Sequence, residues 1–148
     1  MADTYLRPIL TGLAELTHAA GIGVYSEDGY PEDMAGFAVQ FQQTPEFPAR
    51  CITWSYYDAT DRTDVRLSST FVQALVRSPD LLEAVDKVDA LYERFHRAAH
   101  FDVGSVRISN MARISNGYLG FDDNGRHLFS SNFRLTGTRA FGTDVTAG

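Results

Sequence analysis

Two histidines, His96 and His100, have the spacing that comes closest to a metal site in this chain. On a helix, residues four apart would place both imidazoles on one face. The residues between them lack the glutamate of a metalloprotease helix, and no further Cys or His stands at ligand spacing. Basic side chains near the end of a helix also interact favourably with its dipole. The sequence therefore predicts helix-end cations and no metal site.

The single cysteine, Cys51, is the first candidate for a nucleophile. It lies in an alternating, strand-like stretch, where a free cysteine usually behaves as a small core hydrophobe. The serines occur in no Gly-x-Ser-x-Gly elbow. The aspartates of residues 58–64 lack the glycine and the final glutamate of a calcium loop, and the glycines of residues 117–125 form no phosphate loop. We therefore predict no catalytic residue, no cofactor and no enzyme activity.

Four aromatic residues lie on neighbouring predicted strands and could form a platform for stacking nucleic-acid bases: Trp54, Tyr56, Tyr57 and Phe71. Such platforms lie in basic grooves, whereas the charged residues nearby are mostly acidic. Packing in the core or at a subunit interface is the better interpretation. The whole chain, with 19 acidic and 13 basic residues and a net charge of −6, is also a poor general binder of nucleic acid.

Length and composition indicate one domain with a buried core, since the chain has 148 residues of which 44% are hydrophobic. One cysteine excludes an internal disulfide framework and is typical of a protein assembled in a reducing cytoplasm. Among the basic residues Lys87 is the single lysine, so arginine carries nearly all of the positive charge.

Hydrophobic residues at spacings of three and four predict the first helix, and alternation of apolar and polar residues predicts the strands after it. In chain order the predicted elements are a helix over residues 4–20 capped by Thr4, a strand over residues 22–25, a strand or extended loop over residues 37–41, a strand over residues 51–57 and a polar loop over residues 58–64.

The middle of the chain predicts a strand over residues 65–77 followed by the second helix. The strand should be interior, with one face packed under that helix, because it is rich in β-formers and lacks Pro and Gly. Ser78-Pro79-Asp80 predicts the start of the helix, with Ser78 as its cap. The residues of the inward strand face are Val72, Ala74 and Val76, and those of the apolar helix stripe are Leu81, Val85, Val88, Tyr92 and Phe95.

The last third predicts a β-hairpin. Strands over residues 106–115 and 127–136 flank Asn124-Gly125, which is typical of a type I′ turn. The elements together predict an α+β fold, a mostly antiparallel sheet of four to five strands with two main helices packed on it. Residues 1–137 form the single domain of this prediction, and residues 138–148 a flexible C-terminal tail.

The hairpin carries a motif of glycines and charged residues at turn spacing: Leu119-Gly120-x-Asp122-x-x-Gly125-Arg126, then Ser131-Asn132-Phe133. It resembles the C-terminal hairpin of small tailed-bacteriophage minor tail or minor capsid proteins, which are similar to tail terminator (tail-to-head joining) proteins. Residues 71–77 look like the central strand of that family, which ends in an arginine. The next helix and the N-terminal helix also agree, so the resemblance covers residues 5–135 in order.

The resemblance implies a structural virion protein that forms a ring, usually hexameric, at the head-proximal end of the tail. The expected partners are other copies of the chain, the major tail (tube) protein and a head-completion or connector protein. DNA would pass through the lumen without specific binding, and assembly would take place in the bacterial host cytoplasm. The subunit-interface candidates are Arg77, Asp122, Arg126 and Phe133.

Two alternatives remain open at this point: a neighbouring head-completion (stopper or adaptor) protein of the same neck, or a small cytoplasmic α+β ligand-binding enzyme. The enzyme would need a concave pocket with convergent polar groups. For the structural protein we predict that Arg77 or Arg126 makes a charge-assisted bond to an acidic residue, within the subunit or across a ring contact.

Overall fold

The computed structural model describes residues 5–61 and 67–138. In these ranges the chain forms two helices and one six-stranded sheet. The elements are α1 (Leu6–Ala19), β1 (Ala38–Phe41), β2 (Cys51–Asp61), β3 (Leu67–Ser78), α2 (Leu81–Phe95), β4 (Ala98–Val103), β5 (Val106–Phe121) and β6 (His127–Thr138).

The strand order is β1-β2-β3-β6-β5-β4, and every neighbouring pair is antiparallel except the parallel pair of β1 and β2. The α+β class with a mostly antiparallel sheet is confirmed. The predicted count of four to five strands is wrong, because the sheet has six. The predicted strand over residues 22–25 is also wrong, since Val24 makes only an isolated bridge to Ala38.

β4 was missed because the second helix was expected to continue to His100. The helix ends at Phe95, and the chain then adopts positive φ at Arg97 (66°) and His100 (56°). Positive φ is uncommon for residues other than glycine, so the sequence carries no signal for this reversal. His96 is therefore the C-cap of α2 and His100 lies in β4, so they do not share the helix face that the metal interpretation required.

β2 and β5 both run further than predicted. Residues 58–61 were expected in a polar loop, but β2 continues through them because its partner β3 extends equally far, with Asp61 opposite Ser68. β5 reaches Phe121 rather than residue 115 because it stays paired with β6 up to the turn. Asp64, the predicted cap Thr4 and the predicted tail beyond Thr138 lie outside the described residues.

α2 begins at Leu81, two residues later than the predicted cap at Ser78 implies, and its cap is different. Asp80, not Ser78, is the N-cap, because its carboxylate accepts a hydrogen bond from the Glu83 amide. Ser78 instead ends β3. The predicted apolar stripe is partly wrong, since Leu81 and Tyr92 are exposed. The buried residues are Ala84, Val88, Leu91 and Phe95.

The core lies between the sheet and both helices. Trp54 of β2 packs edge-on against Phe95 of α2, with ring centroids 5.4 Å apart, and lies 5.8 Å from Phe133 of β6. Its indole N–H donates to Thr17 of α1 at 3.1 Å. Because one side chain contacts both helices, they lie on the same face of the sheet.

β3 is an interior strand between β2 and β6, as predicted. Its inward face, formed by Val72, Ala74 and Val76, is completely buried in the core cluster that contains the buried residues of α2. Arg77, next in the chain, points to the opposite face because strand side chains alternate. This opposite face is covered by the connection between β1 and β2. In that connection the hydroxyl of Thr44 forms a hydrogen bond with the hydroxyl of Thr53, at 2.6 Å.

Replacing Phe133 by alanine should lower the free energy of unfolding by about 3–5 kcal/mol, because it removes a large core side chain. Phe133 has 0% of its surface exposed, whereas Phe121 on the same hairpin is 69% exposed. Phe121→Ala is therefore the matched control and should change stability by no more than about 0.5 kcal/mol. Urea denaturation of both variants measures this, and similar losses would contradict the assigned packing.

Candidate subunit-interface site

Four chain segments meet at one end of the sheet, which we call the hairpin end. β2 begins there at Cys51, which lies opposite Arg77 near the end of β3. Arg77 in turn lies opposite Leu128, near the turn between β5 and β6. α2 starts immediately after β3. Strand register therefore brings the two predicted arginines, one on β3 and one at the turn, to the same end of the molecule.

Arg77 is buried, with 4% of its surface exposed, and its guanidinium binds backbone carbonyls. Its Nε donates to Ala49 O at 2.9 Å, and Nη2 donates to Pro48 O at 2.7 Å and Glu46 O at 3.2 Å. Burial lowers the pKa of Arg77, and the neighbouring Arg126 also lowers it. The guanidinium still carries its charge at neutral pH, so these carbonyls supply the polar partners that a buried cation requires.

Arg126 reaches the same segment from the hairpin. Its Nη1 donates to Glu46 O, and its Nε donates to the Asp122 carboxylate at 2.8 Å. The predicted charge-assisted bond to an acidic residue is therefore confirmed for Arg126. We call Arg77, Arg126 and the carbonyls of residues 46–49 the arginine clamp, since two guanidiniums hold one loop segment. Phe47 lies within that segment, 5.9 Å from the Arg126 guanidinium, with its ring half-exposed.

The turn of the hairpin shapes the clamp. Gly125 has a φ of 72°, and its amide donates to Asp122 O at 3.0 Å, while Asn124 is not among the residues with positive φ. The hairpin is confirmed, but the type I′ prediction is wrong because that turn needs positive φ at both central residues. A type I turn followed by a left-handed glycine fits these contacts and leaves Asp122 facing Arg126.

Asp122 is held in its ionised form by its own turn. Burial opposes ionisation, but the amides of Arg126 and Asn124 and the Arg126 guanidinium all donate to the carboxylate, so its pKa lies below the usual value. Hydrogen bonds donated to an ionised carboxylate stabilise the charged form and lower the pKa.

The start of α2 is joined to the same segment. Arg50 Nε lies 2.5 Å from a carboxylate oxygen of Glu83, and Ser78 donates to that oxygen at 2.7 Å. Burial opposes ionisation of Glu83, but the hydrogen bonds from Ser78 and Arg50 outweigh it and lower its pKa. Residues 46–50 are therefore fixed to β3, the hairpin and α2.

Cys51 lies beside the clamp but is not an activated nucleophile. Its thiol donates to Pro48 O at 3.1 Å, and Arg77 Nη2 lies 3.5 Å from the sulfur. Burial raises the pKa of the thiol, and this effect exceeds the opposite effect of the two arginines. The thiol therefore stays protonated at neutral pH, whereas nucleophilic attack requires the thiolate.

The histidines also have structural contacts. His96 Nδ1 accepts the Arg113 amide at 3.0 Å, and its ring stacks on Tyr92 with centroids 4.5 Å apart. In the described part of the chain, no group of three His, Cys, Asp or Glu side chains could hold a metal ion.

The four interface candidates lie at different depths. Phe133 belongs to the core, Arg77 lies inside the clamp, and Asp122 and Arg126 form the base of the turn. The sequence did not reveal the segment that joins them, residues 46–49. Its acceptors are backbone carbonyls, which every residue has, so they leave no pattern in the sequence. Two prolines near that segment and an arginine at the end of an interior strand were the available signals.

An open groove of about 680 Å³ lies between α1, β1 and the preceding loop. Its titratable side chains include Arg7, Glu27, Tyr25 and Tyr30. Burial raises the pKa of both tyrosines. Their phenols therefore remain protonated at neutral pH and are not poised for general base chemistry there.

A family model described as "Bacteriophage tail terminator protein" matches residues 17–139. The chain belongs to the bacteriophage tail terminator family. The resemblance that the hairpin motif indicated is thereby confirmed, and the family supports a structural protein of the phage neck. None of the curated proteins matches the chain in sequence.

The fold also occurs in a solved virion. A chain of the structure titled "Virion of native gene transfer agent (GTA) particle" is similar with a TM-score of 0.56 and 12% identity, over 91% of this chain and 95% of that one. At this identity the likeness concerns the fold alone. Neither described helix is long and apolar enough to cross a membrane.

Replacing Arg77 by methionine should lower the free energy of unfolding by about 3 kcal/mol or more, because several buried carbonyls lose a charged donor. Arg107→Met is the control. Arg107 has a 51% exposed side chain in a single ion pair with Asp102, and its loss should cost less than about 1 kcal/mol. Chemical denaturation distinguishes the two, and a similar cost for both would contradict the role of Arg77 in the clamp.

The Asp122 carboxylate should make stability depend on pH. Its pKa is lowered in the folded state, so its contribution is present at neutral pH and is lost as pH falls through that value. Asp122→Asn should therefore be less stable than the wild type at pH 7, and the difference should narrow below about pH 4, near the unfolded value. Urea titrations from pH 7 to 3 measure this. Asp123 is exposed, so Asp123→Asn is the control. If the stability difference between Asp122→Asn and the wild type did not change with pH, the lowered pKa of Asp122 would be refuted.

Proposed function

We propose that this chain is the subunit of a hexameric ring that closes the head-proximal end of a phage tail tube. The match to the tail terminator family carries the proposal. In this role the chain contacts further copies of itself, the major tail protein on one side and a head-completion or connector protein on the other.

The arginine clamp gives this role a physical basis. A ring subunit must present its contact surfaces in fixed positions, because ordering a loop at the moment of binding costs free energy. The clamp fixes residues 46–50 by hydrogen bonds before any partner arrives. Phe47 is thereby displayed on a rigid segment, and half-exposed aromatic rings are frequent anchors at protein interfaces.

We propose that the hairpin end is a docking face of the ring. Asp122 and Arg126 keep the turn and Phe47 in place, while Arg77 and Phe133 support them from inside the subunit. The net charge of −6 also suits a lumen through which DNA passes, because like charges oppose binding of the phosphate backbone.

The role is tested with isolated tail tubes and the purified protein. The protein should bind one end of each tube, block further addition of tube subunits and stop binding when each tube carries one ring. Sedimentation with the tubes and negative-stain images measure this, with tubes that already carry their head-proximal cap as the control. Binding to isolated connectors and not to tubes would assign the chain to the head-completion proteins, and binding to neither would overturn both assignments.

A further inference from the structure

The basic residues of the hairpin end are turned inward. The segments that meet there comprise residues 45–51, 77–83 and 121–127. Arg77 and Arg126 are buried, and both guanidiniums donate to the carbonyls of the arginine clamp. Arg50 forms an ion pair with Glu83 at the start of α2. These segments therefore contain no exposed lysine or arginine.

The acidic side chains of the hairpin end face outward instead. Glu46 and Asp123 are exposed, and neither side chain has a hydrogen bond or ion pair within the described part of the chain. The clamp uses the backbone carbonyl of Glu46 and leaves its carboxylate outside. The two acids lie near each other, because Arg126 bonds both Glu46 O and Asp122, the residue before Asp123. The charge that the hairpin end presents to a partner is therefore negative.

Exposed apolar side chains lie among these acids. Leu82 and Phe121 are the two most exposed large apolar side chains of the described chain, at 71% and 69%. Phe121 lies opposite His127, His127 lies opposite Ser78, and α2 begins shortly after Ser78, so both side chains belong to the hairpin end. Phe47 of the clamp is also exposed there. Apolar surface of this kind marks an interaction site, and aromatic side chains are frequent anchors.

We propose that the hairpin end binds the end of the tail tube, and that the tube presents to it a basic surface with apolar recesses. Acidic side chains among apolar anchors fit such a surface, because opposite charges across an interface guide association and disfavour wrong partners. The inference rests on the proposed function, in which the ring closes the tube. It adds the face that makes this contact and the chemistry of the surface that the face binds.

Other occupants fit this face less well. A second copy of the chain carries a net charge of −6, so two hairpin ends in contact would bring like charges together. The phosphate backbone of DNA is repelled for the same reason. Of the two structures that would flank the ring, the tail is the one in the description of the matched family. We therefore assign the face to the tube and not to the connector.

Reversal of charge tests the electrostatic part of the contact. Glu46→Lys combined with Asp123→Lys replaces the two outward acids, and the clamp keeps the backbone carbonyl that it uses. Asp89→Lys combined with Glu93→Lys is the matched control. It makes the same change of charge at exposed residues of α2, about 12–18 Å along the helix from its start. Circular dichroism and urea unfolding verify that each variant folds.

Sedimentation with isolated tail tubes measures the dissociation constant. At about 0.05 M salt the reversal at the hairpin end should raise it about tenfold or more, which corresponds to about 1.4 kcal/mol. The difference from the wild type should shrink at about 0.5 M salt, because salt screens exposed charges. The control on α2 should change the constant less than about twofold. Tube binding that the reversal strengthens or leaves unchanged would overturn the proposal.

Alanine substitutions test the apolar part of the contact. Phe47→Ala and Phe121→Ala should each raise the dissociation constant about tenfold or more at both salt concentrations, because apolar contacts are not screened. Tyr57→Ala is the matched control, since Tyr57 is 53% exposed and lies on β2 about 20 Å from the start of that strand. Equal affinity of all three variants for tubes would contradict the assigned anchors.

The same measurements separate this inference from the proposed function. If the wild type binds tube ends and the hairpin-end variants bind them equally well, the tail role stands and the assigned face is wrong. If the wild type binds no tube, the proposed function fails and the assignment of the face fails with it. Variants that keep tube binding but lose binding to isolated connectors, or lose self-association in sedimentation velocity, would also overturn the assignment.

Discussion

A buried positive charge constrains the hairpin end of this molecule. Arg77 ends an interior strand and is almost fully enclosed, and leaving a guanidinium there without acceptors would cost several kcal/mol. The acceptors are backbone carbonyls of residues 46–49, so this segment must fold back over the start of β2. That requirement explains why a connection without regular secondary structure is held in one conformation by the strands beneath it.

The same constraint links the loop to the hairpin and thus to the proposed function. Arg126 binds Glu46 O from the turn, and the Asp122 carboxylate orients the Arg126 guanidinium. The backbone amide of Arg126 also donates to this carboxylate and helps to keep it ionised. The loop, the turn and the start of α2 therefore form one rigid end of the subunit. A rigid end suits docking, because a surface that is already ordered loses less conformational freedom when it binds.

Local pattern predicted much of the fold. The helical period of α1, the β-rich run of β3 and the Asn-Gly turn are short-range signals, and all three elements are present. Features that depend on tertiary contacts could not be predicted. The positive φ of Arg97 lies between the end of α2 and the start of β4, and packing against the sheet decides which face of α2 is buried. The ion pair of Arg126 with Asp122 was predictable because the turn brings the two side chains together. The carbonyls that bind Arg77 lie about 30 residues away in the chain, and backbone carbonyls occur at every residue, so the sequence does not indicate them.

The central claim is that this family member occupies the joint between head and tail as a closed ring. Cryo-electron microscopy of the assembled particle tests it most directly. We expect density for this fold in a single ring between the last layer of the tail tube and the connector. Density for the fold at any other position in the particle, or its absence from intact particles, would contradict the claim.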